Sequence, residues 1–406
     1  MTAPDYVSEP LATRDVAAIR AATPGCAHRI HLDSAGASLM PQSVLDAVTG
    51  HLALEASVGG YEAKRRRADE LADVYDACAA LVGAEADEIA LLENATRAWD
   101  AAFYALPLTA GDRILTGRAE YVSNALAFIQ LARTRGVEVE VIEDDEHGQI
   151  DVAALRDAVD ERTRLIALTH VPTNGGLVNP AAEVGAVARE AGVTYLLDAC
   201  QAAGQLPIDV AELGCDVLST TGRKFLRAPR GTGFLYVRRG LAERLEPPVV
   251  DVRSARWTAP DAYELAPGAR RFETWEMSYA NVLGLGAAVR TALDIGVDRT
   301  WAYVRPLAED LRTRLRDDLG ADVRDKGAVR GAIVTFTLDG VAPDALRALL
   351  EEREIGVSVS EPADALHDTV VRRLPQMVRA SVHHFTTPDE IGRFVAAVGE
   401  LRVAAR

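Results

Sequence analysis

The sequence predicts an α/β fold: a large domain with a mostly parallel sheet between helices, plus a smaller C-terminal α+β domain. Three observations carry this. From about residue 85 to 240, short apolar strand-like runs alternate with amphipathic helix-like stretches, the order in which parallel sheets are built. Beyond about residue 280 the pattern changes to long helix-like stretches that enclose shorter strands. At 406 residues the chain exceeds the size at which a single core stops growing, roughly 250–300 residues.

Taken in order, "LLENATRAWDAAF" has the form strand, turn, helix. The runs "RILTG", "VEVEVIE", "RLIALTHV", "TYLLDA", "CDVLSTT" and "GFLYV" read as strands. Between them, "VSNALAFIQLARTRG" and "NPAAEVGAVAREAG" read as helices, the second with Pro180 at its first position and Gly192 closing it. Later, "NVLGLGAAVRTALDIG", "WAYVRPLAEDLRTRLRDDLG" and "DEIGRFVAAVGELRVAA" read as helices around the strands "GAIVTFTL" and "VRASVHHF". The expected division is an N-terminal segment, 1–30, packing on the small domain, a large domain, 31–275, and a small domain, 276–406. The stretch 245–275, rich in arginine and proline, fits either domain.

Composition excludes several classes of function. A formal net charge of −16 with no long basic stripe argues against nucleic acid. The cluster "KRRR", Lys64 to Arg67, reads as a solvated helix face beside neighbouring acids. No apolar run approaches the roughly 20 residues that cross a bilayer, and the start "MTAPDYVSEPLATRD" is acidic and polar, unlike a signal peptide. A cytoplasmic location without a membrane partner is expected. Cys26, Cys78, Cys200 and Cys215 have neither Cys-x-x-Cys spacing nor a nearby histidine pair, so no metal site or disulfide framework is indicated.

The basic residues are uneven: of 44, only Lys64, Lys224 and Lys326 are lysines. Lys224 is then either a loop cation that survived by chance or an amine kept for use. Unlike arginine, lysine can lose its proton on burial and attack a carbonyl to form an imine. Asp198 follows an apolar strand, where a carboxylate needs a cation such as a protonated ring nitrogen, unless it caps the next helix. Asn94, Ala95 and Thr96 lie at a helix start whose free amides suit phosphate, although Asn and Thr are also ordinary N-caps. Ser219, Thr221 and Arg223 offer donors to the same phosphate. An amine, an acid for a ring nitrogen, a phosphate cradle and a flat side chain to stack are together what pyridoxal 5'-phosphate requires.

The ordered set "HLDSAGASLMP", "ENATRAW", "AEYVSN", "THVPTNGGLVNP", "YLLDACQAAG", "TTGRKFLRAPRGTGFLYV" and "VRASVHHF" resembles the class V aminotransferase family. These are fold-type I pyridoxal phosphate enzymes, with a large domain built on a seven-stranded type of sheet. The family includes cysteine desulfurases, isopenicillin N epimerases and hercynylcysteine sulfoxide lyases, and the likeness runs from about residue 30 to 395. It implies Lys224 as the covalent cofactor lysine and catalytic residue, and Asp198 as partner of the pyridine nitrogen. It implies Gln201 and Thr173 at the ring hydroxyl, Tyr121 stacked on the ring, and Ala95, Thr96, Thr221 and Arg223 around the phosphate. Arg379 is similar to the arginine that clamps an amino acid's α-carboxylate. A homodimer with active sites at the interface is also implied.

The departures bear on reaction type. Arg223 stands where many relatives have histidine, and Tyr121 where desulfurases stack a histidine. The loop "GVSVSEPADALHD", residues 356–368, corresponds to the desulfurase nucleophile loop and has no cysteine. Cys200, beside Asp198, reads as a small strand-end residue. "VGGY" is similar to the hercynylcysteine sulfoxide lyase branch, and "RRFETWE" puts bulky Trp275 and Glu276 where desulfurases have Gly-Thr, unless Trp275 packs at a subunit contact. On this reading desulfurase chemistry is disfavoured. The expected activity is transamination or β-elimination (carbon–sulfur lysis) at the α-carbon of an amino acid or amino-acid conjugate. An epimerase of the same family and a non-catalytic module remain as alternatives.

Overall fold

The computed structural model describes residues 8–404. Residues 1–7 of the polar start, and residue 405 of the last expected helix, lie outside the described residues. The large sheet has seven strands: β1 (Ile89–Leu92), β2 (Arg113–Gly117), β3 (Glu138–Ile142), β4 (Thr163–Thr169), β5 (Thr194–Asp198), β6 (Val217–Thr221) and β7 (Gly233–Val237). Their spatial order is β1-β7-β6-β5-β4-β2-β3. From β6 to β3 neighbours are parallel, and β7 alone runs antiparallel to its two neighbours. The reason lies in the connection 222–232, which contains no helix and is shorter than the dozen or more residues of a parallel crossover.

Burial explains why these strands were legible. Strands β6 and β7 are buried at every position, so covered faces give unbroken apolar runs rather than alternation. At the edge, β3 exposes Glu138 and half-buries Val139. Arg162 pairs with Glu138 at 2.9 Å and Arg113 pairs with Glu140, which covers the open edge with charge.

The second sheet contains β8 (Asp322–Val323), β9 (Ile333–Thr337), β10 (Ser358–Ser360) and β11 (Met377–Ser381) in the order β8-β9-β11-β10, all antiparallel. Arg379, in β11, lies between Thr335 of β9 and Ser358 of β10. The helix Thr13–Ala21 lies against this part of the chain: Arg20 reaches the Phe385 carbonyl at 2.6 Å and Glu390 at 2.8 Å. Within 245–275 the chain forms an exposed hairpin, Ala255–Ala259 with Ala262–Leu265, that the sequence did not reveal because neither strand has a buried face. The following Glu273 is fully buried and accepts from Tyr75 at 2.7 Å, the Leu91 amide at 2.9 Å and Arg253 at 2.8 Å. Among the described residues no single helix is long and apolar enough to cross a membrane.

In a parallel sheet ligands gather beyond the carboxyl ends of the strands. Here Thr169, Asp198 and Thr221 end β4, β5 and β6, and the helix Ala95–Phe103 begins beside the start of β7.

Candidate active site

A cavity of about 110 Å³ opens at these strand ends. Its lining holds Ala95, Thr96, Tyr121, Thr173, Asp198, Gln201, Thr221, Arg223 and Lys224, together with Asn94 and Cys200. Residues from five separate stretches of sequence therefore face one space. Arg379 is not among them. It stands behind Thr173, whose hydroxyl and carbonyl accept from its Nη1 at 2.9 and 3.2 Å.

Asp198 is buried at the end of β5, and a turn rather than a helix follows it, so it does not act as a helix cap. Its Oδ1 accepts from the Cys200 amide at 2.8 Å and its Oδ2 from Asn124 Nδ2 at 2.9 Å. Lys224 lies in the turn after β6, and its Nζ is 5.9 Å from the centre of the Tyr121 ring. Burial holds the Lys224 amine below its ordinary pKa; Arg223 and Arg379 add to this, while Cys200 and Asp198 oppose it. Burial also pushes the Cys200 thiol well above its usual range, reinforced by the adjacent Asp198 carboxylate.

The donors and acceptors around the cavity suit pyridoxal phosphate. Gln201 donates through Nε2 to the Ala35 carbonyl at 3.2 Å, while its buried Oε1 has no partner among the described residues, leaving an acceptor for a ring hydroxyl. Asn94 caps the helix Ala95–Phe103 by accepting from the Arg97 amide at 2.9 Å, so its side chain does not take the first two amides, those of Ala95 and Thr96. The backbone packs closely there, since a Cβ on Gly233 would come within 2.7 Å of the Thr220 oxygen and 2.9 Å of the Asn94 carbonyl carbon. Amides for an anion, a carboxylate, a free acceptor and an amine of lowered pKa fit the cofactor.

Arg379 is also buried and held from other sides. Its Nε donates to Ser358 at 3.0 Å, and its Nη2 lies 3.6 Å from Asp33. Burial lowers its pKa, against the pull of Asp33 and Asp364. Sequence reasoning missed Asp33, Glu120, Asn124 and Ser358. Glu120 and Asn124 flank Tyr121 within "AEYVSN" at the i, i+4 spacing of a helix start, the one signal that pointed to them. Loop 356–368 forms β10, a 3₁₀ turn and the start of the helix Leu366–Arg372.

A family model described as Aminotransferase class-V matches residues 30–394. A probable cysteine desulfurase of Methanothermobacter thermautotrophicus is 29% identical over 89% of this chain and 92% of its own length. The probable cysteine desulfurase 2 of Mycobacterium leprae is 30% identical over 95% and 96%. Among solved structures, the apo cysteine desulfurase of Thermococcus onnurineus NA1 superposes with a TM-score of 0.89 at 24% identity, covering 98% of this chain and all of that one, which shows the fold. The cystine C–S lyase C-DES, in complex with its reaction product cysteine persulfide, matches with a TM-score of 0.84 at 25% identity, over 93% and 99% of the two chains.

These likenesses correct the expected activity. Desulfurase chemistry was disfavoured and transamination or β-elimination preferred, yet the relatives spanning nearly the whole chain are named cysteine desulfurases. The error was to give the cysteine-free loop the most weight among the departures. A thiol missing from 356–368 removes one acceptor of sulfur; it leaves unchanged the cavity lined by Asp198 and Lys224.

Proposed function

This chain belongs to the class V aminotransferase family of pyridoxal phosphate enzymes, and on that premise we propose that it is a cysteine desulfurase that passes sulfur to a thiol from solution. The carbon–sulfur bond of cysteine breaks, alanine leaves, and the acceptor thiol gains the sulfur as a persulfide. The observation that carries this reading is the likeness to cysteine desulfurases over nine-tenths of the chain, at 29 to 30% identity.

Bound pyridoxal phosphate supplies a sink for the electrons released at the substrate's α-carbon. The chain's residues do the rest. Lys224 holds the cofactor through Nζ and, once freed, uses that nitrogen to carry the α-proton; its lowered pKa leaves more neutral amine for both tasks. Asp198 keeps a proton on the ring nitrogen, Tyr121 covers the ring, and Gln201 and Thr173 meet the ring hydroxyl. Ala95, Thr96, Thr221 and Arg223 hold the phosphate. Arg379 takes the substrate's α-carboxylate with a two-pronged donor.

Solution thiol is assigned as acceptor because loop 356–368 offers none. Cys200, the cysteine lining the cavity, is kept as a protonated, weakly nucleophilic thiol. In the same reading residues 31–275 carry the cofactor, and the part of the chain after 275 forms the small domain, on which the helix Thr13–Ala21 packs. The working unit is a homodimer in the cytoplasm, which the exposed Val252, Trp257 and Trp275 and the four free cysteines support.

The test is to give the cofactor-loaded enzyme L-cysteine with and without dithiothreitol and to measure alanine, sulfide and pyruvate. Alanine and sulfide in equal amounts, dependent on the added thiol, are expected. Pyruvate and ammonia in place of alanine would overturn the reading.

A further inference from the structure

Asp198 does not stand alone in its pocket. Asn124 Nδ2 donates to Asp198 Oδ2 at 2.9 Å and to Glu120 Oε1 at 2.8 Å, so one amide group bridges two carboxylates. The three side chains are 5, 3 and 2% exposed respectively for Asp198, Asn124 and Glu120. Glu120 gathers three further donors: the Thr169 hydroxyl, the Thr116 hydroxyl at 3.0 Å and the Tyr121 amide at 2.8 Å. None is a cation. Because both neighbours are acceptors, the Asn124 amide must face them with its nitrogen, which fixes its orientation.

A carboxylate buried this way is costly to charge, and burial does push the Glu120 carboxyl up, opposed by the Thr169 and Asn124 bonds. If the position served only packing, an apolar residue would do at less cost. What the acid adds is a second acceptor one amide away from Asp198, the carboxylate that lines the cavity. It also ties together Tyr121, on the ring's face, and Asn124, behind the ring's acid, which sit on the same helix start.

We propose that Glu120 and Asn124 are positioning residues that aim Asp198 at the cofactor's ring nitrogen. This rests on the reading of Asp198 given above. Asn124 holds Oδ2 while the Cys200 amide holds Oδ1, which fixes the plane of the carboxylate, and Glu120 prevents the bridge from rotating. Neither touches the cofactor.

The test compares pyridoxal phosphate with its carbocyclic analogue, in which carbon replaces the ring nitrogen, by measuring both dissociation constants on the full chain. Glu120→Gln and Asn124→Ala are each expected to cut the preference for the nitrogen-containing cofactor about tenfold, the effect of losing one hydrogen bond to a charged group. The visible absorption band should shift in the same variants. Equal weakening toward both cofactors, or no change toward either, would overturn the proposal, because a merely structural role cannot sense the ring atom. Asp198→Ala separates the two readings. If it abolishes the preference while Glu120→Gln and Asn124→Ala leave it intact, the role of Asp198 stands and the positioning role fails; if it leaves the preference intact, both fail. Should Glu120→Gln not fold, Asn124→Ala reads the same ratio by cutting only the bridge.

Discussion

Arg379 and Thr173, 206 positions apart in the chain, meet through a 2.9 Å bond from Nη1 to the threonine hydroxyl. That bond joins the small sheet to the wall of the cavity, because Arg379 sits in β11 and Thr173 in the loop after β4. A substrate carboxylate that draws Arg379 forward would therefore pull on both units at once.

The first prediction concerns this arginine. Arg379→Ala should lower kcat/KM for cysteine by about 2–5 kcal/mol, the range for truncating one partner of a buried charged pair. Cofactor absorbance should stay unchanged, since Arg379 is not in the cavity lining. Arg379→Lys should recover little, because an ammonium cannot reproduce the two-pronged contact. Unaltered steady-state kinetics in either variant would remove Arg379 from the site.

Gly233 packs against the backbone where the helix Ala95–Phe103 begins, the proposed phosphate cradle. An added Cβ would meet the Thr220 oxygen at 2.7 Å and the Asn94 carbonyl carbon at 2.9 Å, both backbone atoms that cannot swing away. Gly233→Ala should therefore displace the start of the helix Ala95–Phe103 and weaken cofactor binding. Equilibrium dialysis should register a loss of about tenfold or more, as expected where overpacking costs roughly 1–3 kcal/mol. Wild-type affinity would mean that this helix start does not hold the phosphate.

Which parts of this site the sequence disclosed follows from how locally each is built. Asp198 stood out because it ends an apolar strand, and Lys224 because lysine is scarce in a chain that otherwise uses arginine, so each signal lies within a few residues. Asp33 and Ser358 carry no such mark: they meet Arg379 only when segments 346 and 21 positions away in sequence fold together. The direction of β7 was equally hidden, since an apolar run looks alike whichever way it runs, and only the helix-free connection 222–232 betrays it. The loop without cysteine misled because an absence in one segment was weighed as if it described the cavity.

Buried histidines set the third prediction. Burial lowers His170 to about 4 and His383 to about 3, Arg227 adding to the latter, and holds His384 well below its ordinary value. All three are neutral in the fold, whereas the unfolded chain takes up protons below about pH 6.5. Stability is thus fully present above about pH 6.5 and falls as pH drops toward about 4, by up to ~1.4 kcal/mol per pH unit for each histidine. His384 Nε2 lies 2.8 Å from the Arg227 guanidinium, which can only donate. His384→Gln offers Arg227 an acceptor without the titration. Urea unfolding between pH 7.5 and 5 should give a shallower slope in this variant, by about one proton; an unchanged slope would show that His384 does not titrate on unfolding.

The last prediction concerns Lys224, one of three lysines in a chain that otherwise uses arginine. Its Nζ lies 5.9 Å from the centre of the Tyr121 ring in the cavity that Asp198 also lines, and burial lowers its pKa. A guanidinium there would keep the charge and roughly the length, but it stays protonated and does not bond to the cofactor's aldehyde carbon. Lys224→Arg should therefore abolish turnover as fully as Lys224→Ala, while the cradle around Ala95, Thr96 and Thr221 still binds the cofactor without a covalent link. Borohydride reduction followed by peptide mapping separates the two contributions. In the wild type the label should fix on the peptide around "TTGRKFL", and in Lys224→Arg on none. Label on Lys64 or Lys326, or near-normal turnover in the arginine variant, would mean that the amine is supplied by another residue and that the lowered pKa of Lys224 reflects burial alone.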